Sequence, residues 1–320
     1  MSIRVSVAMT TYNGEKYLEE QLESIYTQTR LPDEVVVVDD GSWDGTVEIL
    51  QRYYERYGLI YYINEKRLGF NQNFGKAISL CTGDYIALCD QDDIWFAQKI
   101  EKSLRYLQSV ESPGVPALVS SQCQDIDENR RVLPKKYPSE DTWNYYDTLW
   151  GMNNSQGCCF VFNKALAERV LPIPPNKEVI FDMYIALVAA MVGVKYNMAE
   201  PLMYYRHHGD NAIARISEKS RSLKDRLRVN KYSRIIYPDF IPCNERFALI
   251  GFVCRKFRDQ IPPERLNLVE KLLLLGDLSL PLSRRLNVIW TLQELSRSRK
   301  LKVISNAFFA ALYKLCMNAQ

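Results

Sequence analysis

Short apolar runs alternate with amphipathic segments through the first 90 residues, and this alternation limits the fold more than any other feature. The runs are VSVAMTTYN, EVVVVDDGS, LIYYINE and GDYIALCD, and the segments between them place apolar residues at helical spacing. The second run is too apolar on both faces for a half-exposed antiparallel strand. Strand and helix in regular alternation predict an α/β fold, with a mostly parallel sheet that has helices on both faces.

Acidic residues directly follow two of these runs, in the sequences DDGS and DQDD. Asp39 and Asp40 end the second run, and Asp90, Asp92 and Asp93 follow the fourth. Ligands of open α/β sheets bind in the crevice outside the carboxyl ends of the strands. Because carboxylates repel one another unless a cation lies among them, the two clusters predict a site for Mn²⁺ or Mg²⁺, which prefer oxygen ligands and substrate phosphates.

Both clusters also have a structural interpretation. DQDD can be a turn with solvated carboxylates, and in DDGS the aspartates can serve turn formation, with Gly41 at positive φ. Asp44 and Thr46 suffice as caps for the next helix, which leaves Asp39 and Asp40 for a ligand. The position of both clusters after buried strands favours the ligand interpretation.

A second part of the chain carries a further carboxylate. The run VIFDMYIALVAAMVG predicts a buried helix with Asp182 near its start. A lone aspartate at a helix N-terminus is more often a cap or a partner of the helix dipole. An aspartate just ahead of a wholly apolar helix is less easily explained as a cap alone.

Charge divides the chain into two regions. Residues 1–214 hold 20 Lys and Arg against 29 Asp and Glu, whereas residues 215–320 hold 21 against 9. We therefore predict an acidic domain over 1–215 and a basic helical region over 216–320. The basic helices fit a solvated face, a partner, or an anionic membrane surface, which we favour; nucleic acid is disfavoured because no recognition motif is present.

The cysteines and the apolar runs bear on the compartment. None of the eight cysteines forms a CxxC pair, and no segment has the ~18–20 consecutive apolar residues of a membrane span. The N-terminus has no signal-peptide pattern. We expect buried free thiols in a cytoplasmic protein that contacts the inner face of the plasma membrane at its periphery.

The motifs together resemble a known enzyme family. VSVAMTTYNGEKYLEEQLESI, VVVVDDGSWDGT and GDYIALCDQDDIW resemble the N-terminal half of family 2 glycosyltransferases, which have the GT-A fold. NNSQGCCFVFNKAL, FDMYIALVAAMVG and PLMYYRHHGDNAIA resemble the rhamnosyltransferase-like subgroup. The resemblance runs from residue 3 to about 214. It implies a GT-A catalytic domain over 1–215, with nucleotide-sugar binding in about 1–110 and acceptor binding in about 111–215. It implies an inverting transfer of a sugar from a nucleoside diphosphate donor, dTDP-rhamnose or a UDP-sugar, to a hydroxyl of a glycan or lipid-linked saccharide in bacterial surface polysaccharide synthesis.

The resemblance also implies roles for residues at the nucleotide end. Thr10 and Tyr12 would flank the nucleotide, and Asp39 or Asp40 would bind the base. Asp90 would face the ribose or the metal. These implied roles agree with the sheet-end position of the acidic residues.

Further implied roles concern the metal and the acceptor. Asp92 would be the metal ligand, His208 would join it or touch the diphosphate, and Arg206 would bind phosphate. Asp182 would be the base that takes the acceptor proton. Phe181 stands where the subgroup usually has histidine.

Two alternatives remain open at this point. A sugar nucleotidyltransferase has a similar sheet, but such enzymes usually carry a GxGxR loop where this chain has TTYNGEKY. A non-catalytic homologue that binds a nucleotide or acts as a membrane scaffold is supported by Phe181 alone.

Overall fold

The computed structural model describes residues 3–134, 148–149, 156–175, 180–209 and 243–277, with a few further residues up to 287. The chain divides into two compact units, Met1–Leu227 and Arg228–Gln320. The predicted boundary between residues 215 and 216 falls outside the described residues, so it stays a prediction. The predicted helices that begin near residues 222 and 283 also lie largely outside them.

Eight strands form one sheet in the first unit. In chain order they are β1 Val5–Thr11, β2 Glu34–Asp39, β3 Ile60–Ile63, β4 Tyr85–Cys89, β5 Ile94–Trp95, β6 Ala117–Asp127, β7 Phe160–Asn163 and β8 Val194–His207. Their order across the sheet is β3-β2-β1-β4-β7-β6-β8-β5. The first four strands are parallel, as predicted, whereas β7 is antiparallel to β4 and β6, and β5 is antiparallel to β8. The predicted α/β class is therefore confirmed, with a sheet that is mixed in its second half.

Helices connect these strands and form the second unit. The first unit contains α1 Leu18–Tyr26, α2 Thr46–Tyr57, α3 Phe70–Leu80, α4 Lys99–Val110, α5 Lys164–Val170 and α6 Phe181–Val192. The second contains α7 Cys243–Phe257 and α8 Pro263–Gly276. No helix in the described part of the chain is both long and apolar enough to span a bilayer.

The core lies along the central strands β1, β2 and β4. Val7, Val37 and Ala87 are fully buried and belong to one apolar cluster with Leu22 and Ile25 of α1. A β-branched run buried on both faces suits a parallel strand covered by helices, so the sequence pattern and the packing agree. The described cysteines are free thiols, as expected, and four of the six are buried.

The short strand β5 fixes the acidic loop that follows β4. Ile94 pairs with Tyr204 and Trp95 with Met203, both on β8. The chain therefore turns back within four residues of the end of β4. Residues 90–93 are held between a buried strand and this second pairing, which places their carboxylates at the carboxyl edge of the sheet.

Candidate active site

The loop of residues 12–14 follows β1, and we call it the nucleotide loop. A side chain of the acidic loop holds it in place. Gln91 accepts the Tyr12 N–H through Oε1 at 2.8 Å and donates from Nε2 to the Tyr12 carbonyl at 3.2 Å. A Cβ atom on Gly14 would lie 2.5 Å from Gln91 Oε1, so a larger residue at this position would displace the amide. The Arg67 guanidinium lies over the Tyr12 ring, 3.8 Å from its centroid. Thr10 lies at the partly exposed end of β1.

Asp39 has a structural role, contrary to the interpretation that caps elsewhere leave it free. Its buried carboxylate accepts hydrogen bonds from the N–H groups of Gly41 and Ser42 and from the hydroxyls of Thr11 and Ser42. These donors shape the turn after β2. Its predicted contact with the base stays a prediction and would have to share these bonds.

Asp40 also has structural partners. Its Oδ1 accepts from Leu68 N–H at 2.7 Å and from Asn64 Nδ2 at 2.9 Å, and its Oδ2 accepts from Gly69 N–H at 2.9 Å. A buried carboxylate requires such donors. Asp40 thereby joins the end of β2 to the loop before α3, where Arg67 lies 3.8 Å from its Oδ2.

The acidic loop contains carboxylates in strongly unfavourable surroundings. Burial, and then the charges of Asp92 and Asp182, raise the pKa of Asp90 to about 8. Burial and the charges of Asp92 and Asp90 also raise the pKa of Asp93. Asp93 is fully buried and its Oδ1 accepts the Arg206 N–H at 3.2 Å. The carboxylates of the loop therefore repel one another when ionised, and a cation bound among them would reduce this repulsion.

Asp92 and His208 lie in direct contact, while the metal binding that the resemblance implied for them stays a prediction. His208 Nε2 lies 2.8 Å from Asp92 Oδ2, and both side chains are largely buried. The His208 ring packs against the ring of Tyr17 with 4.7 Å between centroids. This pair offers one nitrogen and one carboxylate at a common point, a donor set that suits a divalent cation.

Hydrogen bonds, an ion pair and a ring contact hold the Arg206 side chain in place. Its Nε donates to the Asp92 carbonyl at 2.8 Å, and its Nη2 pairs with Glu20 Oε2 at 2.6 Å. The guanidinium also lies over the Tyr17 ring. The side chain is only 2% exposed. Arg206 therefore fastens the acidic loop to α1, while its predicted contact with phosphate stays a prediction.

Asp182 lies at the first turn of α6 and faces the acidic loop. Its Oδ2 accepts the Gly157 N–H at 3.3 Å and its Oδ1 accepts the Met183 N–H at 2.6 Å. Burial raises the pKa of Asp182 to about 6, although these N–H groups oppose the shift. Its charge also raises the pKa of Asp90, so the two carboxylates act on one another across the site. A pKa near 6 suits a general base at neutral pH.

Phe181 and Asn71 fix the start of α6. The Phe181 ring stacks on Phe74 of α3 at 4.2 Å, and the Phe181 N–H donates to Asn71 Oδ1 at 2.9 Å. A Cβ atom on Gly157 would lie 2.7 Å from Phe181 Cζ and 3.3 Å from Asp182 Cβ. Phe181 thus packs as a core residue, and Gly157 is required for the close approach that positions Asp182.

One further group of side chains could hold a metal ion. Ligand atoms of Asp90, Asp93 and Cys158 all lie within 4.8 Å of one another, and this is the one such group among the described residues. Carboxylate and thiolate atoms at this separation can reach a common cation. The site thus offers two adjacent donor sets, this group and the Asp92–His208 pair.

The sequence and these residues match a known family. The family model described as Glycosyl transferase family 2 matches residues 6–171, which is more than half of the chain. The chain belongs to glycosyl transferase family 2. The matched region contains the nucleotide loop, both acidic clusters and the Cys158 turn, and it ends before α6.

Individual members of glycosyl transferase family 2 extend the match into the second half. The dTDP-rhamnosyl transferase RfbG of Shigella flexneri is 31% identical over 244 residues, which cover 71% of this chain and 81% of that protein. An uncharacterised glycosyltransferase of Nostoc sp. is 29% identical over 65% of this chain and 66% of its own length. One of Methanocaldococcus jannaschii is 35% identical over 44% of this chain and half of its own length. The resemblance to family 2 and its rhamnosyltransferase-like subgroup is confirmed.

Solved structures of family-like folds support the predicted architecture. The structure of residues 1–349 of S. aureus TarS with UDP-GlcNAc has a TM-score of 0.61 at 15% identity, covering 97% of this chain and 82% of that one. At this identity the likeness shows the fold alone. The GT-A fold predicted for this family 2 member is confirmed.

Several residues that build the family 2 site were not predicted from the sequence. Gln91, Gly157 and Cys158 lie within the recognised motifs, but their contacts join segments 25 to 79 positions apart. The sequence placed Asp93 in the acidic cluster but predicted no role for it. Glycine was the one signal in the sequence, because a close approach of the backbone to another group favours glycine and leaves no other trace in a single sequence.

Proposed function

We propose that this chain is an inverting glycosyltransferase that moves a sugar from a nucleoside diphosphate donor to a hydroxyl of a glycan or lipid-linked saccharide in bacterial surface polysaccharide synthesis. The observation that carries the proposal is that Asp182, whose two oxygens are held by backbone N–H groups, lies near enough to the acidic loop for its charge to raise the pKa of Asp90. A base on one side and a diphosphate site on the other is the arrangement that inversion requires.

The donor would bind at the carboxyl ends of β1, β2 and β4. Thr10 and Tyr12 would flank the nucleotide, and the turn held by Asp39 and Asp40 would face the base. Asp90 would meet the ribose. dTDP-rhamnose and UDP-sugars are the proposed donors, because one relative is a dTDP-rhamnosyl transferase and one fold neighbour was solved with UDP-GlcNAc.

Asp182 would act as the general base on the acceptor. A carboxylate with a pKa near 6 is ionised at neutral pH and still basic enough to take a proton as the hydroxyl attacks. The N–H groups of Gly157 and Met183 hold both its oxygens, so its direction is fixed before the acceptor arrives. Preorganisation of this kind lowers the barrier because no group must reorient during the reaction.

A divalent cation, Mn²⁺ or Mg²⁺, fits the donor set of Asp92 and His208. Bound there, it would stabilise the negative charge of the leaving diphosphate. Arg206 would keep the acidic loop in place through the Asp92 carbonyl. Its own contact with phosphate, implied by the family resemblance, would require release from Glu20.

Ligand-dependent stabilisation tests this proposal directly. The melting temperature is measured with UDP, dTDP, GDP and CMP, each with Mn²⁺ and with EDTA. A ligand that binds only the folded state must stabilise it, by about 2.7 kcal/mol at 100 times its Kd. We expect one nucleotide to stabilise the chain in the presence of metal, and Asp92→Ala to abolish the effect.

The alternative of a non-catalytic homologue makes a different prediction. Such a protein would bind the nucleotide without transferring sugar, so stabilisation would occur without turnover of the donor. Phe181, its only sequence support, packs on Phe74 of α3. An anomeric analysis of the product by NMR distinguishes inversion from retention.

We also propose that the basic C-terminal region meets an anionic membrane surface on the cytoplasmic side. In the described helices Arg255, Lys256 and Arg258 are exposed at the end of α7 and just beyond it. Near an anionic surface each basic residue contributes about 1 kcal/mol of attraction. Cosedimentation with vesicles that contain phosphatidylglycerol, and its loss at high salt, tests this contact.

A further inference from the structure

A buried thiol lies against the acidic loop, and the proposed sugar transfer does not use it. Cys158 belongs to the 3-10 turn Gly157–Cys159 and is 1% exposed. Its sulfur and one carboxylate oxygen each of Asp90 and Asp93 lie within 4.8 Å of one another. We propose that Asp90, Asp93 and Cys158 form a binding site for a borderline divalent cation of the Zn²⁺ or Cd²⁺ type, beside the Asp92–His208 pair.

An unpartnered oxygen points to a ligand at this position. Asp93 is fully buried, and while its Oδ1 accepts the Arg206 N–H, its Oδ2 has no hydrogen-bond partner of good geometry in the described part of the chain. Buried carboxylate oxygens are almost always hydrogen-bonded or bound to a metal. A cation at the group would satisfy this oxygen and relieve the repulsion between the two aspartates.

The donor atoms select the class of cation. Two carboxylate oxygens and the Cys158 sulfur, which would release its thiol proton to solvent as the cation binds, make three protein ligands and leave a position open, as in many zinc sites. Thiolate favours Zn²⁺ and Cd²⁺ over Mg²⁺ and Mn²⁺, which prefer oxygen alone. Atoms bound to one tetrahedral ion lie about 3.3–3.8 Å apart, so side-chain movements below about 1.5 Å bring these three to a common ion.

The surroundings hold the thiol in place and leave a path to it. Lys99 is buried, and its Nζ donates to the Cys158 carbonyl at 3.0 Å, which fixes the turn. Asp90 is the partly exposed member of the group, so a cation would approach from its side. Because the proposed transfer needs Asp90 for the donor, occupancy of this site would inhibit that transfer; this consequence alone rests on the proposed function.

A spectroscopic titration tests the site without any assay of activity. The full chain, reduced and stripped with EDTA, is titrated with Cd²⁺ while the thiolate-to-metal charge-transfer band is followed in the ultraviolet. We expect a band that saturates at one equivalent, is lost in Cys158→Ser, and persists in Cys159→Ser, the matched control on the neighbouring buried thiol. Asp93→Asn should weaken binding at least about tenfold.

The two serine variants decide the outcome. Serine is nearly isosteric with cysteine, and melting curves verify that each variant folds. A band that persists in Cys158→Ser, a band lost in both serine variants, or no band in the wild type would overturn the proposal. Zn²⁺ inhibition of sugar transfer in the wild type but not in Cys158→Ser would support the regulatory consequence. A Cys158-dependent band in a chain without transferase activity would retain the cation site and reject the proposed function.

Discussion

Asp182 is the single residue on which the proposed chemistry depends most, and asparagine separates its chemical role from its structural one. We expect Asp182→Asn to lower kcat by about 10²–10⁴-fold, because the amide cannot take the acceptor proton. The melting temperature should change little at neutral pH, because the amide gives up one of the two backbone N–H bonds but avoids the cost of burying a charge. Asp127→Asn, which alters a carboxylate bound to backbone N–H groups in an exposed turn, serves as the control for kcat. Full activity of Asp182→Asn would assign the base to another residue.

Gly157 shows how a residue without a side chain can determine the position of a catalytic one. Alanine at this position would place its Cβ 2.7 Å from Phe181 Cζ, closer than van der Waals contact permits. The turn or the start of α6 must then shift, and displacement of the base by about 1 Å lowers kcat by up to about 100-fold. Steady-state kinetics of Gly157→Ala measure this loss. Adding Phe181→Leu removes the ring atoms in conflict and should restore part of kcat; no restoration would contradict the steric explanation.

Arg206 and Arg130 pair with the same carboxylate and differ in burial, which makes them a matched pair. Both contact Glu20, but the Arg206 side chain is 2% exposed and that of Arg130 is 66% exposed. We expect Arg206→Met to lower the free energy of unfolding by about 3 kcal/mol, because it leaves buried acceptors without a partner. Arg130→Met should cost less than about 1 kcal/mol. Urea denaturation measures both, and equal effects would show that burial does not govern the Arg206 contacts.

At the scale of whole elements, the sequence predicted the fold where periodicity and length were strong. The predicted runs VSVAMTTYN and GDYIALCD contain β1 and β4, and the alternation of the first four strands with helices is confirmed. The two-residue strand β5 was not predicted, because two residues carry no period and its partner β8 is more than 100 positions away. That pairing is nevertheless what folds the acidic loop back over the site.

The expectation that Asp39 and Asp40 have no structural partners was wrong for a similar physical reason. Helix caps near in sequence could be identified, so both aspartates were expected to be free for a ligand. The donors that occupy Asp40 are the N–H groups of Leu68 and Gly69, nearly 30 positions away in a loop whose course depends on the sheet. Residue types at a site can be predicted from one sequence, whereas hydrogen bonds between distant loops depend on tertiary structure.

Gln91 joins two loops, so its effect belongs to the elements rather than to one residue. Its amide makes two hydrogen bonds to the Tyr12 backbone and thereby couples the nucleotide loop to the acidic loop. Gln91→Ala should raise the Kd of the nucleotide about tenfold, equivalent to about 1.4 kcal/mol of lost preorganisation. Calorimetric titration measures the change. Gln72→Ala removes a similar amide that binds the Ile173 carbonyl, and it should leave the Kd unchanged; equal effects would contradict a specific coupling.

At the scale of the whole molecule, the family match and the charge division apply to different parts of the chain. The family model covers residues 6–171, where the sequence also places the donor site, and the basic excess begins near residue 215. The loops within residues 125–156, on which we expect acceptor choice to depend, lie partly outside the described residues. Sequence motifs therefore predict a donor site, which stays a prediction, whereas the acceptor depends on loop shapes that no motif specifies.

Buried acidic groups make the stability of the whole molecule depend on pH, and the pKa of Asp182 gives the direction. Because burial raises this pKa from 3.8 to about 6, the folded chain holds a proton between these pH values that the unfolded chain releases. The contribution of Asp182 to the free energy of unfolding therefore falls as the pH rises through this window, by up to about 3 kcal/mol. Urea denaturation from pH 4 to 7 should show Asp182→Asn gaining stability relative to the wild type as the pH rises.

Asp33 provides a control of opposite sign for this pH dependence. Against the effect of partial burial, the Val5 N–H and Arg30 lower the pKa of Asp33, so its ionised form stabilises the folded chain. Its contribution is present above pH 3.8 and is lost as the pH falls below that value. Asp33→Asn should therefore be less stable than the wild type at pH 7, by a margin that is nearly constant down to pH 5. A stability difference for Asp182→Asn that is equally constant from pH 4 to 7 would mean that Asp182 is ionised as readily in the folded chain as in water.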